Sequence, residues 1–335
     1  MNNLKKLGLS ALAGSLAFTS AHAADASVGV ATEMTYVPET GVDNAQVSNP
    51  WGMKSHVLIS ASGDVNGIGV TYNSNLNDKG SSQVSGGMSF DFGDAGRVTF
   101  DQGGFYGQGM HGLDNKMPTA YEEAFHGINS SSRTGNELDT ITNAFGYNNT
   151  MGPVTLSVAY NPGESDVANG DGGTTTNSGD GSVLTYHISA ALMDGLTVGV
   201  GAGKREVPDT QHNDDKVAGA YALYTYGPLS LGYGVNTFSS GQGNDPAMTA
   251  VHSEETTMYG IAANVNDSLS ISYGVQEIEF RKASATHVTQ ENKSISAAYT
   301  IGNAAVRLVT TDATDVGGTS GTDHAYTELS LNLSF

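Results

Sequence analysis

The chain has 335 residues, of which 14 are Lys or Arg and 34 are Asp or Glu, for a formal charge of −20; Cys is absent and charged residues make up only 14%. A net charge of that sign repels phosphate and argues against a nucleic-acid binder, and the lack of thiols removes disulfide frameworks, thiolate metal sites and Cys nucleophiles. An ordinary soluble domain is about a quarter charged; this chain is only 38% apolar and is filled with Gly, Ser, Thr, Asn and Ala instead, which suits β structure whose two faces meet different solvents.

Residues 1–23 read as an export signal to be cleaved. Lys5 and Lys6 precede an apolar stretch over 7–20, and Ala21-His22-Ala23 is an A-x-A cleavage site. Residues 24–335 then form one domain. They contain no run of about 18 apolar residues, so no transmembrane helix is expected.

Beyond the signal, helical periodicity is nearly absent and period-two alternation is nearly everywhere. Short turns fall at 64–67, 93–96, 149–153, 193–195, 227–228, 266–268 and 302–303. Longer loops fall at 38–55, 75–82, 102–139, 161–182, 205–215, 238–253, 281–290 and 312–322. Between them Val154, Leu156, Val158 and Tyr160 alternate with Thr155, Ser157 and Ala159. Leu196, Val198, Val200 and Ala202 alternate with Thr197, Gly199, Gly201 and Gly203, and Leu269, Ile271, Tyr273 and Val275 with Ser270, Ser272, Gly274 and Gln276. The last segment is the clearest, with Ala325, Thr327, Leu329, Leu331, Leu333 and Phe335 on one face and His324, Tyr326, Glu328, Ser330, Asn332 and Ser334 on the other. The polar face is small and neutral where a sandwich exterior would carry Lys and Glu, which points to a crowded or enclosed aqueous side.

Short and long connections alternate strictly, and together they join sixteen strands. An even strand count, with short turns on one rim and longer loops on the other, predicts an all-β fold: a transmembrane antiparallel β-barrel. Membrane strands of about 9–11 residues leave the rest of the chain for loops.

These features resemble the general bacterial porins, in particular the sixteen-stranded trimeric porins of the alphaproteobacterial type, over the whole of 24–335. The terminal strand from Tyr326 to Phe335, the strand and loop count, and Pro118-Thr119-Ala120-Tyr121-Glu122-Glu123 in the long third loop carry the likeness. The resemblance implies that Tyr326, Leu329, Leu331, Leu333 and Phe335 form the signal read by the barrel-assembly machinery. It implies that the third loop folds into the barrel and narrows it. It also implies a homotrimer in the outer membrane, against its lipid and lipopolysaccharide. The hydrophobic phase, with Tyr36, Tyr72, Tyr147, Tyr160, Tyr186, Tyr273 and Tyr299, then faces lipid, and the polar phase faces a lumen too wide for side chains to fill.

The loop at 102–139 is the first candidate site, since a connection this long is normally functional. It sets Asp114, Glu122, Glu123, Glu137 and Asp139 against Lys116 and Arg133, with Tyr121 beside them. Carboxylates in a narrow passage concentrate cations and exclude anions. Phe105, Tyr106, Tyr121 and Phe125 are expected to pin the loop to the wall. By parity Glu33, His56, Asp91, Arg97, Asp101, His187, Arg205, Arg307 and Glu328 point into the lumen. The porins set a basic cluster opposite the acidic loop; here it is thin, and Arg97 and Arg307 sit near short turns, which favours cation preference over a strong transverse field. No cofactor is expected. Calcium at the acidic segment 166–180, or at Asp114, Glu122 or Glu123, is left open. Neither G-x-S-x-G nor H-E-x-x-H occurs, so an enzyme is not expected. The expected function is passive diffusion of small hydrophilic solutes and ions. The alternatives are a substrate-selective channel of the same architecture binding an organic cation or another small nutrient at Tyr121, Glu122 and Glu123, and an exported adhesin or structural surface protein.

Overall fold

The computed structural model describes residues 25–38, 40–42, 49–77, 83–102, 107–128, 134, 138, 142–163, 181–207, 213–241, 251–282 and 287–334. The proposed signal at 1–23, loop residues Phe105, Tyr106, Arg133, Glu137 and Asp139, the acidic segment 166–180, and Phe335 lie outside them.

Sixteen strands run β1 (Asp25–Tyr36), β2 (Trp51–Val65), β3 (Ile68–Asn77), β4 (Gln83–Asp91), β5 (Arg97–Gln102), β6 (Thr142–Met151), β7 (Val154–Asn161) and β8 (Val183–Met193). They continue as β9 (Leu196–Arg205), β10 (Asp215–Tyr226), β11 (Leu229–Ser239), β12 (Val251–Asn264), β13 (Leu269–Lys282), β14 (Val288–Ile301), β15 (Ala304–Thr314) and β16 (His324–Ser334). Every strand pairs antiparallel with its sequence neighbours, and β1 pairs with β16, so the sheet closes on itself. A closed meander has no unpaired edge to hydrogen-bond in lipid. The turns are tight where the sequence demands it. Between β2 and β3, Asn66 (φ 56°) and Gly67 (φ 83°) form the mirror-image turn that matches strand twist.

All seven short turns and eight longer connections fall where the alternation places them. Two boundaries differ. The first long loop ends at Trp51 rather than 55, because the alternation of β2 starts there, with Trp51 packed on Tyr36 at 4.8 Å between ring centroids. After Tyr36 the first strand also breaks and resumes as Thr40–Val42 along the same edge of β16, with the register moving from Tyr36↔Leu329 to Thr40↔Tyr326.

The two phases separate cleanly. Leu231, Tyr233, Ile261, Ile271, Tyr273, Ile295, Tyr299, Val306, Leu308 and Leu329 all point outward and are exposed. Thr99, Thr185, Gln276, Gln290, Asn292 and Thr311 point inward and are fully buried. A water-soluble protein has the reverse arrangement, and this inversion is the mark of a wall with lipid outside. The buried polar side is covered by the loop between β5 and β6. Met110 and Leu113 of that loop pack with Ala144, Ala159, Val183, Val217 and Tyr221 of the wall.

Candidate functional site

The loop leaves β5 at Gln102 and returns at Thr142, and its described part turns inward along the wall. A short 3-10 turn, Gly109–Leu113, docks first. The Gly109 amide donates to Ser157 Oγ at 2.8 Å and the Met110 amide to Thr185 Oγ1 at 3.2 Å, on β7 and β8. Further along, Ala120 N–H donates to Ser272 Oγ at 2.9 Å and Tyr121 N–H to Ser296 Oγ at 3.1 Å, on β13 and β14. Every one of these partners belongs to the inward phase. Small hydroxyl residues on that face supply acceptors for backbone amides that would otherwise be buried unpaired.

Inward glycines make room for this path. A Cβ at Gly201 would stand 2.9 Å from Met110 Sδ, and one at Gly219 would stand 2.9 Å from Leu113 Cδ1. One at Gly260 would stand 3.0 Å from the Pro118 carbonyl oxygen, and one at Gly274 3.2 Å from the Ala124 Cβ. The abundance of glycine on the lumen phase therefore follows from close approach of a second backbone. Gly201→Leu is expected to lift the Gly109–Leu113 turn and to cost about 1–3 kcal/mol by overpacking. Gly29→Leu, on the same phase with nothing within 4 Å, is the control. Equal unfolding midpoints for the two variants would contradict the docked path.

The loop tip is fastened where the barrel closes. The Tyr121 phenol lies 2.8 Å from Glu33 Oε1 and 2.7 Å from Glu328 Oε1, sharing its one proton between two carboxylates. Glu33 also accepts from Asn332 Nδ2 at 2.7 Å and pairs with Lys54 Nζ at 2.5 Å. Glu328 accepts from Tyr326 Oη at 2.6 Å and meets His126 Nε2 at 3.3 Å, while His126 Nδ1 meets Glu122 at 3.3 Å. The Arg307 guanidinium sits 5.3 Å from the centre of the Tyr121 ring. Three acids, Glu33, Glu122 and Glu328, thus face three cations, Lys54, Arg307 and His126.

Burial opposes charge on His126, but its hydrogen bonds to Glu122 and Glu328, and the charge of both carboxylates, push its pKa up to about 9. Burial and the neighbouring Glu328 and Glu33 hold the Tyr121 phenol protonated, far above its ordinary range. Burial also raises the carboxyl of Glu123, and the charges of Glu122 and Asp114 add to the rise. Asp114 accepts from Thr134 Oγ1 at 2.7 Å. Among the described residues, no group of three His, Asp or Glu is arranged to hold a metal ion.

The lumen residues expected from parity fall in several places. Glu33, Glu328 and Arg307 gather at the loop tip. His187, 5% exposed, lies beneath the loop, its ring stacked on Tyr221 at 5.8 Å, so it lines no water. Arg205 forks onto Asp215 at 2.5 and 2.9 Å at the long-loop rim. Asp101 is buried, Arg97 half-buried and His56 exposed. Asp91 accepts the Gly93 amide at 2.8 Å and shapes the turn after β4. Tyr326, grouped by resemblance with the terminal signal, has its ring inside against His126, 5.2 Å between centroids. Lys54 and His126 are the charged members that sequence reading missed. Lys54 shares the phase of His56 but fell inside the segment assigned to the first loop.

No family model and no curated relative matches this sequence. Solved structures do match it in shape. A structure described as a porin is 14% identical, with a TM-score of 0.65, covering 93% of this chain and 100% of its own. The outer membrane channel DcaP of Acinetobacter baumannii is 14% identical, with a TM-score of 0.60, covering 95% of this chain and 99% of its own. OmpF of Salmonella typhi, in complex with daunomycin, is 10% identical, with a TM-score of 0.63, covering 92% of this chain and 97% of its own. The shared property at these identities is the fold, a closed barrel of porin type.

Proposed function

We propose that this chain forms a water-filled channel in the bacterial outer membrane through which small hydrophilic solutes and ions diffuse passively. The observation that carries the reading is the pairing of an apolar outer face with a loop docked along the polar inner wall. A barrel of this size does not fill its own interior, and a loop laid along the wall from β7 round to β1 narrows it. Lys54, His56 and Ser62 on the inward phase of β2 are exposed and face the open part. The motive force is the solute gradient, and no cofactor takes part.

Cation preference is part of this reading, and it rests on Asp114 and Glu123 more than on the tip, where acids and cations balance. For wild type in a salt gradient the reversal potential is expected to have the sign of cation preference. The double variant Glu122→Gln, Glu123→Gln is expected to move it toward zero. Conductance with an unchanged reversal potential in the double variant would remove these carboxylates from the passage; absence of conductance would remove the channel. A selective site for an organic cation at Tyr121, Glu122 and Glu123 is less well supported, because Tyr121 and Glu122 are already engaged by Glu33, Glu328 and His126. The same reading includes export by residues 1–23, insertion by the barrel-assembly machinery, and a homotrimer bordered by outer-membrane lipid and lipopolysaccharide.

A further inference from the structure

Around β9 and β10 the outward phase changes character at one height. Going up from the short-turn rim, β9 presents Leu196, Val198, Val200 and Ala202, then Lys204. Coming down from the opposite rim, β10 presents Lys216, then Ala218, Ala220 and Ala222, then Tyr224 and Tyr226. Cross-strand register aligns these into rungs. Leu184, Lys204, Lys216 and Ser239 lie side by side, and below them lie Tyr186, Ala202, Ala218 and Thr237. These eight residues border an open cavity of about 340 Å³ on the outside of the barrel.

Two features set this place apart. The first is charge. Like charges directly opposite on neighbouring strands destabilise a sheet, yet Lys204 and Lys216 are so placed in a chain with only 14 basic residues. Asp214 holds Lys204 at 2.9 Å and takes the Val207 amide at 3.2 Å with its other oxygen. Glu206 stands near and accepts from Ser182 Oγ at 2.9 Å, while Arg205 and Asp215 are paired on the inward phase. Among the described residues one carboxylate, Asp214, directly answers the two ammonium groups, with the hydroxyls of Thr237 and Ser239 on the same face. The second feature is shape. Below the lysines, Ala218, Ala220 and Ala222 form the floor of a furrow between Val200 and Val198 on one side and Val235 and Tyr233 on the other.

We propose that this is a binding site for a phosphorylated lipid of the outer leaflet, with the headgroup phosphate on Lys204 and Lys216 and one acyl chain lying in the alanine furrow. The proposal rests on the outer-membrane reading above. Charge complementarity selects the occupant. The lysines sit where the apolar band ends, at headgroup level, and a phosphate monoester carries about −1.5 to −2 charges. With a neutral lipid, Asp214 alone among the described carboxylates would answer the ammonium pair.

Native mass spectrometry of the detergent-purified full chain tests this with dimyristoyl phosphatidic acid, dimyristoyl glycerol and inorganic phosphate as probes. The phosphatidic acid is expected to stay bound and the glycerol lipid to be lost. Lys204→Gln with Lys216→Gln is expected to weaken retention about tenfold or more, the worth of one or two charge-assisted hydrogen bonds. Ala220→Trp fills the furrow without touching charge and is expected to weaken it as well. Equal retention by the double lysine variant overturns the site. Displacement of the lipid by inorganic phosphate as effectively as by free phosphatidic acid reduces it to a bare anion contact and overturns the furrow. Planar-bilayer conductance of the same preparations separates the two readings. A protein that conducts yet retains no lipid overturns the site alone; one that retains lipid at these lysines without conducting supports the site and overturns the channel.

Discussion

Glu328→Leu is expected to cost about 3–5 kcal/mol of stability and to turn a steady open current into a flickering one. Glu328 is 6% exposed and is the point where four side chains meet, accepting from Tyr121 and Tyr326 and facing His126, with Glu33 sharing the Tyr121 proton. Removing it takes the acceptor from the Tyr326 phenol, leaves Tyr121 with Glu33 alone and leaves the half-buried His126 cation with Glu122 alone, and breaking a charged network from its buried member carries a cost of that size. The rest of the loop keeps its docking through Ser157, Thr185, Ser272 and Ser296. The barrel should therefore still close while the tip samples detached positions in the lumen. Glu328→Gln keeps acceptor capacity and should lose less. Thermal unfolding and single-channel noise both report the change. A Glu328→Leu channel with wild-type melting and wild-type noise would show that this cluster does not hold the tip.

The fold was legible because a barrel wall imposes one rule, period two, on every strand. The Leu329–Leu331–Leu333 face and the turn at Asn66–Gly67 each follow from local chemistry. The loop's inward course entered only through the resemblance carried by Pro118 to Glu123, although a physical signal stood beside it: Gly201, Gly219, Gly232, Gly260 and Gly274 recur on the lumen phase where a soluble barrel would place bulk. The tip cluster was legible in part. Parity put Glu33, Glu328 and Arg307 inside but could not say that they converge, because β1 meets the paired strands β15 and β16 only through closure of the ring. His126 follows the acidic stretch by three residues, and nothing in its local pattern marks it as the partner of a carboxylate 202 positions away. His187 shows the limit of parity in the other direction. It points inward yet meets the loop instead of water, since the sequence gives phase without depth.

The protonation of His126 couples this architecture to pH. Its folded pKa of about 9 lies above the ordinary 6.5, so its contribution to stability is complete below pH 6.5 and disappears as pH rises through about 9. Over the same interval the tip changes charge. With His126 protonated, Lys54, Arg307 and His126 offset Glu33, Glu122 and Glu328; once the proton leaves, the three carboxylates face two cations. Cation preference should therefore strengthen between about pH 7 and about pH 10, and current noise should rise with it as the contact between His126 and Glu328 loses its charge. His126→Gln removes the titrating group and should make both quantities nearly flat across that range. A wild-type reversal potential that does not move, or one that moves equally in the His126→Gln channel, would mean that the ions pass where they do not sense this side chain. The mean open current discriminates further. If the tip merely changes charge, the pore keeps its width; if it also swings free, the current is interrupted by closures at high pH in wild type and at every pH in Glu328→Leu, the two routes converging on one loosened contact.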